Sequence, residues 1–412
     1  VVRHTVVLAN TKATTTFLAR AGAEGATSET HVPAVAVILP LLREEAVIAD
    51  AVAHFRELLR DADMLVLVTS AREGTGSDSR TDTPVLAARL ADGAQVRHVH
   101  LSDPHGRKGD QINFAARSVA SWLPLDEHRN WLTVVYDADS RPPRGSLLAF
   151  ADAAARHHGV DVFHQSARFE VRSRGLSVWE SALAQAGALR ANRFVLAYEM
   201  PRLRSRAPGA GPLRRRMAAV TYGHVSGHGL GLRLSFLLAR PMPARTAMED
   251  MHYSYGLAAD RVAVVPLATL DSSEVPTPWR TQFRQAERWF AGPGRGLSYA
   301  HERRSAGNRP AAAVMTSALL ISLEWLSCAA ALPLLLGMLG RPGANRRLAV
   351  TFLVLYGLEL LVVDRQTGRR PRRARVAGWL AFPLVNTGFG IAGWSALFRP
   401  LTGRQLTDKT ER

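Results

Sequence analysis

The sequence predicts an α/β fold: a doubly wound, mostly parallel sheet, followed by a C-terminal helical membrane region. Three observations predict it. Between Ala34 and His164, apolar runs of strand length alternate with stretches of helical period. One of these runs, Trp131-Leu132-Thr133-Val134-Val135-Tyr136, reads as a strand buried on both faces and ends abruptly in Asp137-Ala138-Asp139. Beyond residue 310 the composition changes, and residues 311–398 contain three long apolar stretches.

Residues 1–31 are rich in Ala, Thr and Gly without a sustained period and read as a poorly ordered lead-in. No cleavable signal peptide is evident, and Val1 in place of Met points to a start or a segment upstream. Ala34 to Leu39 forms the first strand, stopped by Pro40. Residues 43–60 have helical spacing, with Val47, Ile48, Val52, Phe55 and Leu59 as the apolar face. Met64 to Val68 is the second strand and feeds a polar loop over 70–77. A helix over 84–91, a strand from Val96 to Leu101 and a helix over 110–123 lead to the Trp131–Tyr136 strand. A helix over 145–157 and a strand from Val160 to His164 follow.

After residue 166 the pattern loosens. Residues 176–197 look helical, Arg202 to Arg216 reads as a loop, and His224 to Arg233 is glycine-dense. Ala247-Met248-Glu249-Asp250 opens a helix, and Val262 to Leu267 is the last strand of a domain spanning 32–276. Residues 277–310 are basic and aromatic, in the manner of interfacial helices.

The expected membrane region, 311–398, has spans at Ala311–Leu339, Leu348–Val363 and Val376–Phe398, with a tail over 399–412. Pro383 and Asn386-Thr387-Gly388 leave the third span open to a broken or re-entrant path. Arg365, Arg369, Arg370, Arg372, Arg373 and Arg375 lie between the second and third spans, which makes that loop, and with it the N-terminal domain, cytoplasmic. Arg341, Arg346 and Arg347 on the opposite side count against this orientation. The chain thus reads as a multi-pass cell-membrane protein. Glu324 and Glu359 within spans suggest polar contacts facing the bundle interior, with Glu359, near a span end, read equally as reaching the interface.

Lys+Arg 52 against Asp+Glu 35 gives a formal charge of +17, carried almost wholly by Arg. Such a surplus suits nucleic acid, anionic lipid or phosphorylated substrates. No nucleic-acid module is recognisable and the Arg cluster sits between spans, so nucleic acid is not an expected partner and membrane lipid is. A single cysteine, Cys328, excludes disulfides and Cys-based zinc sites within the chain.

Two carboxylates at the C-terminal end of a parallel strand lie where open α/β sheets bind ligands. Alternation along an extended strand would put Asp137 and Asp139 on one side, able to share a divalent cation; an ordinary loop entry is the other reading. Glu44 reads equally as a crevice residue and as a solvated acid at a helix start. Lys108 reads as a ligand-facing cation or, somewhat better, as a solvated helix-start charge. Taken alone, Glu249 and Asp250 charge a helix N-terminus. Gln285, Arg288 and Trp289 share one helical face, as a binding face or as an interfacial helix with Trp289 and Phe290 at the headgroups. His228 reads as a ligand contact or a surface histidine in a glycine-rich turn.

The ordered set of motifs resembles the membrane-bound family-2 glycosyltransferases: cellulose, hyaluronan and chitin synthases and the ceramide glucosyltransferase-like enzymes. Pro40-Leu41-Leu42-Arg43-Glu44-Glu45 resembles the opening Pro-x-x-Asn-Glu, with Arg43 in place of Asn. Lys108-Gly109-Asp110-Gln111-Ile112-Asn113 resembles Lys-x-x-x-Leu-Asn, and Asp137-Ala138-Asp139 matches Asp-x-Asp. Ser226-Gly227-His228-Gly229 with Arg233 resembles the glycine-rich acceptor-side segment. Glu249-Asp250 matches the Glu-Asp motif, and Gln285-Ala286-Glu287-Arg288-Trp289 matches Gln-x-x-Arg-Trp. Asp408-Lys409-Thr410-Glu411-Arg412 resembles the ending of bacterial members.

The resemblance implies a GT-A fold, Rossmann-like, and an inverting transfer of a sugar from a nucleotide sugar, a UDP-sugar by expectation, to a polysaccharide or lipid-linked acceptor, giving β-linkages. It implies Asp139 and Asp137 as ligands of Mg²⁺ or Mn²⁺, and Glu44, Asp137, Lys108, Gln285 and Arg288 at the donor. Trp289, Gly227, His228 and Gly229 fall at the acceptor, and Asp250 with Glu249 at the catalytic centre, Asp250 as base. One departure stands out. The acidic turn that holds uracil in the family reads Thr69-Ser70-Ala71-Arg72-Glu73-Gly74 here, which leaves the nucleotide open. Polymer synthesis, single-sugar transfer to a glycolipid, and a degenerate scaffold that only binds lipid or partners are the readings to separate.

Overall fold

The computed structural model describes residues 2–21, 32–75, 83–172, 175–220, 223–244, 246, 248–294, 296–305, 312–366 and 372–399. Its strands are β1 Ala34–Pro40, β2 Met64–Ser70, β3 Val96–Leu101, β4 Trp131–Val135, β5 Val162–His164, β6 Ala167–Glu170, β7 Leu230–Arg233, β8 Val264–Pro266 and β9 Asp271–Glu274. Seven of them form one sheet in the order β3-β2-β1-β4-β7-β5-β8, and β6 pairs with β9. All neighbours in the large sheet are parallel except β7, which is antiparallel to β4 and β5.

The first strands form for the reason the sequence suggests. Val35–Leu39, Leu65–Val68 and Leu132–Val135 have no exposed surface, because helices cover both faces of the sheet. Phe55, Tyr136, Phe150 and Phe163 fill one face, and Ile112, Val119, Leu232 and Tyr253 the other. Each such side chain contributes about 1.5–3 kcal/mol by leaving water. The chain lays β2 and β3 on one side of β1, then crosses over to place β4 on the other. The crevice beyond the C-terminal ends of β1 and β4 is therefore the point of topological reversal, where such sheets bind ligands.

Several expectations are corrected. Residues 2–21 form a helix, not a disordered lead-in. It shows no apolar period because its buried side includes His4, Thr11 and Thr14. Its threonines turn their hydroxyls back to carbonyls four residues earlier, Thr11 to Val7 at 2.8 Å and Thr15 to Thr11 at 2.8 Å. The Arg202–Arg216 stretch is largely two helices, Met200–Arg206 and Pro212–Val220. The glycine-dense segment ends in β7, a central strand. Arg233 is not in the cavity: its guanidinium is buried and donates to Val160, Ala154 and Arg129 carbonyls at 3.0, 2.8 and 3.2 Å.

Beyond residue 311 the helices are Ala312–Ser327, Ala331–Leu339, Ala344–Gln366 and Arg372–Phe398, the first two joined by a 3₁₀ turn. Among the described residues two helices are long and apolar enough to cross a membrane, Val314–Leu339 and Arg373–Phe398. The helix carrying the second expected span is not one of them; Arg346, Arg347, Glu359, Asp364 and Arg365 interrupt it. The third is an unbroken helix through Pro383 rather than a broken or re-entrant segment. More than half of its apolar window is covered by protein, with Gly378 against Gln185 and Gly388 against Trp279. Glu359 is buried in the helical bundle rather than reaching outward, whereas Glu324 is 41% exposed and pairs with Arg3. The tail motif 408–412 lies outside the described residues.

Candidate active site

A cavity of about 430 Å³ opens at the crevice between β1 and β4. Its wall begins with Glu44 and Ser70, passes Asp137, Asp139, His228 and Asp250, and continues past Trp289 to Trp325 and Asn386 of the helical region. The loop after β1 is shaped by Arg43, a non-glycine residue at φ 55°. That left-handed conformation suits Asn, the residue the resembled motif carries there. It turns the chain so that the Glu44 N–H donates to Thr83 Oγ1 at 3.0 Å.

Asp137 and Asp139 stand in a turn just past β4, closed by Ser140 N–H donating to the Asp137 carbonyl at 3.0 Å. A turn, not strand alternation, thus brings both to the cavity wall. Lys108 begins the helix Lys108–Ser121 and points into the cavity, not into solvent. Its Nζ donates to Asp137 Oδ1 at 2.5 Å and stands 4.0 Å from Glu249 Oε1. Burial works against this ammonium, but the Asp137 and Glu249 carboxylates outweigh it and hold its pKa above the ordinary Lys value. A side chain at Gly109 would collide with the Pro243 carbonyl, so glycine lets the Lys108 helix approach the chain leading to Glu249.

Glu249 and Asp250 open the helix Glu249–Ala259. Asp250 Oδ2 accepts from the Gly227 N–H at 3.0 Å, and Oδ1 from the Met251 N–H at 2.7 Å. A Cβ at Gly227 would lie 3.1 Å from Lys108 Nζ and 3.3 Å from Glu249 Oε1, which is why a backbone N–H can reach this carboxylate. His224 Nε2 lies 3.7 Å from Asp250 Oδ2. Burial pushes both carboxyl groups up, but the two diverge. Glu249, beside the Asp250 charge, rises to about 7. Against that same burial, His224 and Lys108 hold Asp250 well below the usual carboxylate range.

Helix Trp279–Gly294 brings Gln285, Arg288 and Trp289 to the same cavity. Trp289 meets Phe169 of β6 edge to face, ring centres 6.4 Å apart, and Phe169 also meets His228 at 6.5 Å. His228 Nδ1 lies 4.0 Å from Asp137 Oδ2. Gly229 is not among the wall residues: at φ +61°, packed on the Gln165 carbonyl, it turns the chain into β7. The cavity also holds groups the sequence did not single out: Glu199, His224 and Phe169. His224 sits in the glycine-dense segment, whose density marks a tight site, but nothing in the sequence pairs it with Glu199.

A Mg²⁺ or Mn²⁺ ion takes about six oxygen ligands. Asp137 and Asp139 offer two carboxylates, and among the described residues no cluster of three or more His, Cys, Asp or Glu could hold an ion. These residues fit a cation completed by phosphate oxygens and water, not an all-protein cage.

No protein-family model and no curated protein matches the chain. Among solved structures it is similar to mannosyltransferase PcManGT from Pyrobaculum calidifontis, in complex with GDP-Man and Mn²⁺, at 16% identity and TM-score 0.49, covering 98% of this chain and 99% of that one. It is similar to S. aureus TarS 1–349 at 12% identity and TM-score 0.42, covering 90% and 93%. It is also similar to glucosyl-3-phosphoglycerate synthase from Mycobacterium tuberculosis, in complex with Mn²⁺, UDP and glucosyl-3-phosphoglycerate, at 18% identity and TM-score 0.34, covering 63% and 80%.

Proposed function

We propose that the chain is an inverting glycosyltransferase that moves a sugar from a nucleotide-sugar donor to a lipid-linked acceptor at the membrane. One observation carries this reading. The Asp-x-Asp pair, the Glu-Asp pair and the Gln-x-x-Arg-Trp face, far apart in sequence, meet in one cavity at the sheet's reversal point, and that cavity runs on to the apolar helices.

The position of each residue in the cavity supports the following roles. The nucleoside lies in the crevice near Glu44 and Ser70, and the diphosphate near Asp137, Lys108 and Arg288, whose guanidinium suits bidentate phosphate contact. Asp139 and Asp137 would hold a divalent cation, which would supply charge neutralisation at the leaving diphosphate. Asp250 takes the proton of the acceptor hydroxyl. That oxygen bonds to the anomeric carbon from the face opposite the leaving group, the bond to the diphosphate oxygen breaks, and nucleoside diphosphate departs. Trp289 offers its face to the acceptor sugar or headgroup, and Gly227 and His228 shape the space beside it. A lipid acceptor is favoured over a growing polymer because the described helices offer two candidate crossings, one of them largely packed against the domain.

A cytoplasmic catalytic domain rests on the arginine run of 365–375 together with a crossing by helix Ala344–Gln366 beside the two more apolar helices, because with two crossings alone that run lies on the side opposite the domain. A cysteine at position 371, in a Cys328→Ser background, should resist impermeant thiol reagents in intact cells and react after lysis; reaction in intact cells overturns this orientation. The activity is tested by giving membranes holding the chain a panel of radiolabelled UDP- and GDP-sugars, with Mn²⁺ or with chelator. Label is expected in an organic-extractable product, and only with the ion. Label in an insoluble polymer would restore the polysaccharide reading, and no transfer from any donor would leave the scaffold reading.

A further inference from the structure

Asp250 is the end of a buried file of ionisable groups. Glu199 closes a π-helical turn, Val195–Glu199, that continues helix Val178–Phe194. Such turns leave carbonyls without their helical partners and recur at functional sites. Here Asn10 Nδ2 and Thr14 Oγ1 of the N-terminal helix donate to the Ala197 and Leu196 carbonyls, each at 2.9 Å. The widened turn directs Glu199 inward, where its side chain is 4% exposed. Glu199 Oε1 faces His164 Nε2 at 3.6 Å, and Oε2 faces His224 Nδ1 at 3.6 Å. The other ring nitrogen, Nε2, faces Asp250.

One imidazole thus has a carboxylate on each nitrogen. A neutral ring carries one N–H and one lone pair, so one carboxylate would face a lone pair; the imidazolium alone can donate to both. At these separations neither nitrogen is yet hydrogen-bonded; the two nitrogens point to opposite sides of the ring, so both contacts close when the Glu199 and Asp250 carboxylates each move in by about 0.5 Å, as catalytic hydrogen bonds tighten when substrate is bound.

We propose that Glu199 and His224 are positioning residues for Asp250: Glu199 keeps the His224 ring an imidazolium, and that cation holds Asp250 ionised and in place at the cavity wall. This rests on Asp250 being the base. The other groups facing the file are His164 across Glu199, Lys108 and Glu249 on the far side of Asp250, and the Phe194 ring on His224. Burial favours the neutral ring, yet the two carboxylates push His224 up to about 9. A proton passed to Asp250 cancels its attraction to His224, so the base sheds it again after each turnover.

Histidine-selective ¹⁵N labelling of the full chain in detergent micelles reads the ring directly; the His224 signals are those lost in His224→Gln. We expect an imidazolium at pH 7.5, and a transition lower by at least about one pH unit in Glu199→Gln or Asp250→Asn, since each removes a counter-charge. A neutral ring in the unaltered chain at pH 7.5, or a transition unmoved in both variants, overturns the proposal. In membranes given the UDP- and GDP-sugar panel, His224→Gln should cut transfer about tenfold or more and move the acid limb of the rate profile up by at least one unit, because Asp250 then protonates at higher pH. Glu199→Asp should recover more transfer than Glu199→Gln. An inactive Asp250→Asn with an unmoved acid limb in His224→Gln overturns the positioning role alone. A fully active Asp250→Asn overturns the base assignment, and this proposal with it.

Discussion

Glu249 and Asp250 are adjacent in sequence, yet their surroundings drive their protons apart. Environments that split a carboxyl pair in this way are how one site holds both an ionised and a protonatable acid near neutral pH. For Glu249 this has a stability consequence. An unfolded Glu titrates near about 4.3. In the folded chain burial and the Asp250 charge carry Glu249 up to about 7. Between those values the folded state keeps a proton that the unfolded chain has released, so stability falls as pH rises through the window, and the penalty is complete above it. Glu249→Gln should therefore stabilise the fold by on the order of 1–3 kcal/mol at pH 8 and by much less at pH 5, read as a pH-dependent rise of the thermal unfolding midpoint. Equal shifts at both values would show that Glu249 carries no such proton. Catalysis is separated from binding by a second comparison. Asp250→Asn should leave nucleotide-sugar affinity nearly intact while cutting turnover about 100- to 10,000-fold, the usual worth of a placed base. Arg288→Ala should weaken donor affinity as well, because its proposed partner is the diphosphate. An Asn variant that binds donor as poorly as the Arg288 variant would make Asp250 a donor-site residue.

At the scale of elements, the turn into β7 decides whether the cavity wall forms. Gly229 has φ +61°, and a Cβ there would lie 2.1 Å from the Gln165 carbonyl, while Gln165 N–H donates to the Gly229 carbonyl at 2.7 Å. Gly93 makes a useful contrast, with φ +75° and nothing within 4 Å of the added atom. Gly93→Ala should cost only the left-handed strain, about 1–2 kcal/mol. Gly229→Ala must also push β7 from β5 and should cost clearly more, with loss of transfer; equal losses in unfolding midpoint would deny the close approach. The contrast between β4 and β7 also shows what a sequence exposes. β1, β2 and β4 are legible because both faces are buried and nearly every residue is apolar. Leu230-Gly231-Leu232-Arg233 is too short, with a glycine inside and an arginine at its end, and it is a strand only because β4 and β5 supply partners and three carbonyls absorb the guanidinium. The site divides the same way. Asp137, Asp250 and Arg288 sit in short local motifs whose resemblance to a known family marks them as candidates, whereas the Glu199–His224 contact depends on a π turn held by Asn10 and Thr14, a tertiary arrangement with no local signature.

At the scale of the whole molecule, the N-terminal helix, the helix Val178–Phe194 of the α/β domain and the helix Ala344–Gln366 converge on Glu359. Its side chain has no exposure; Oε1 meets His4 Nδ1 at 2.5 Å and Oε2 accepts from Arg193 Nε at 2.8 Å. The Arg193 guanidinium is further covered by the rings of Tyr198 and Tyr356, at 5.5 and 5.6 Å. Arg193 lies on the turn of helix that leads into the π segment carrying Glu199, so this pair links the C-terminal helices to the groups behind Asp250. Taking two charges out of water offsets most of their attraction, but removing one strands the other. Glu359→Ala should therefore cost about 3–5 kcal/mol and lower the unfolding midpoint in detergent, whereas Glu359→Leu combined with Arg193→Met should fall within about 1 kcal/mol of the unaltered chain. The double variant also tells whether the pair matters for more than stability. If it folds normally but transfers sugar slowly, the charge pair sets the register of the Glu199 turn. If Glu359→Ala alone unfolds at the unaltered temperature, apolar contacts hold the three helices together and the buried pair does not.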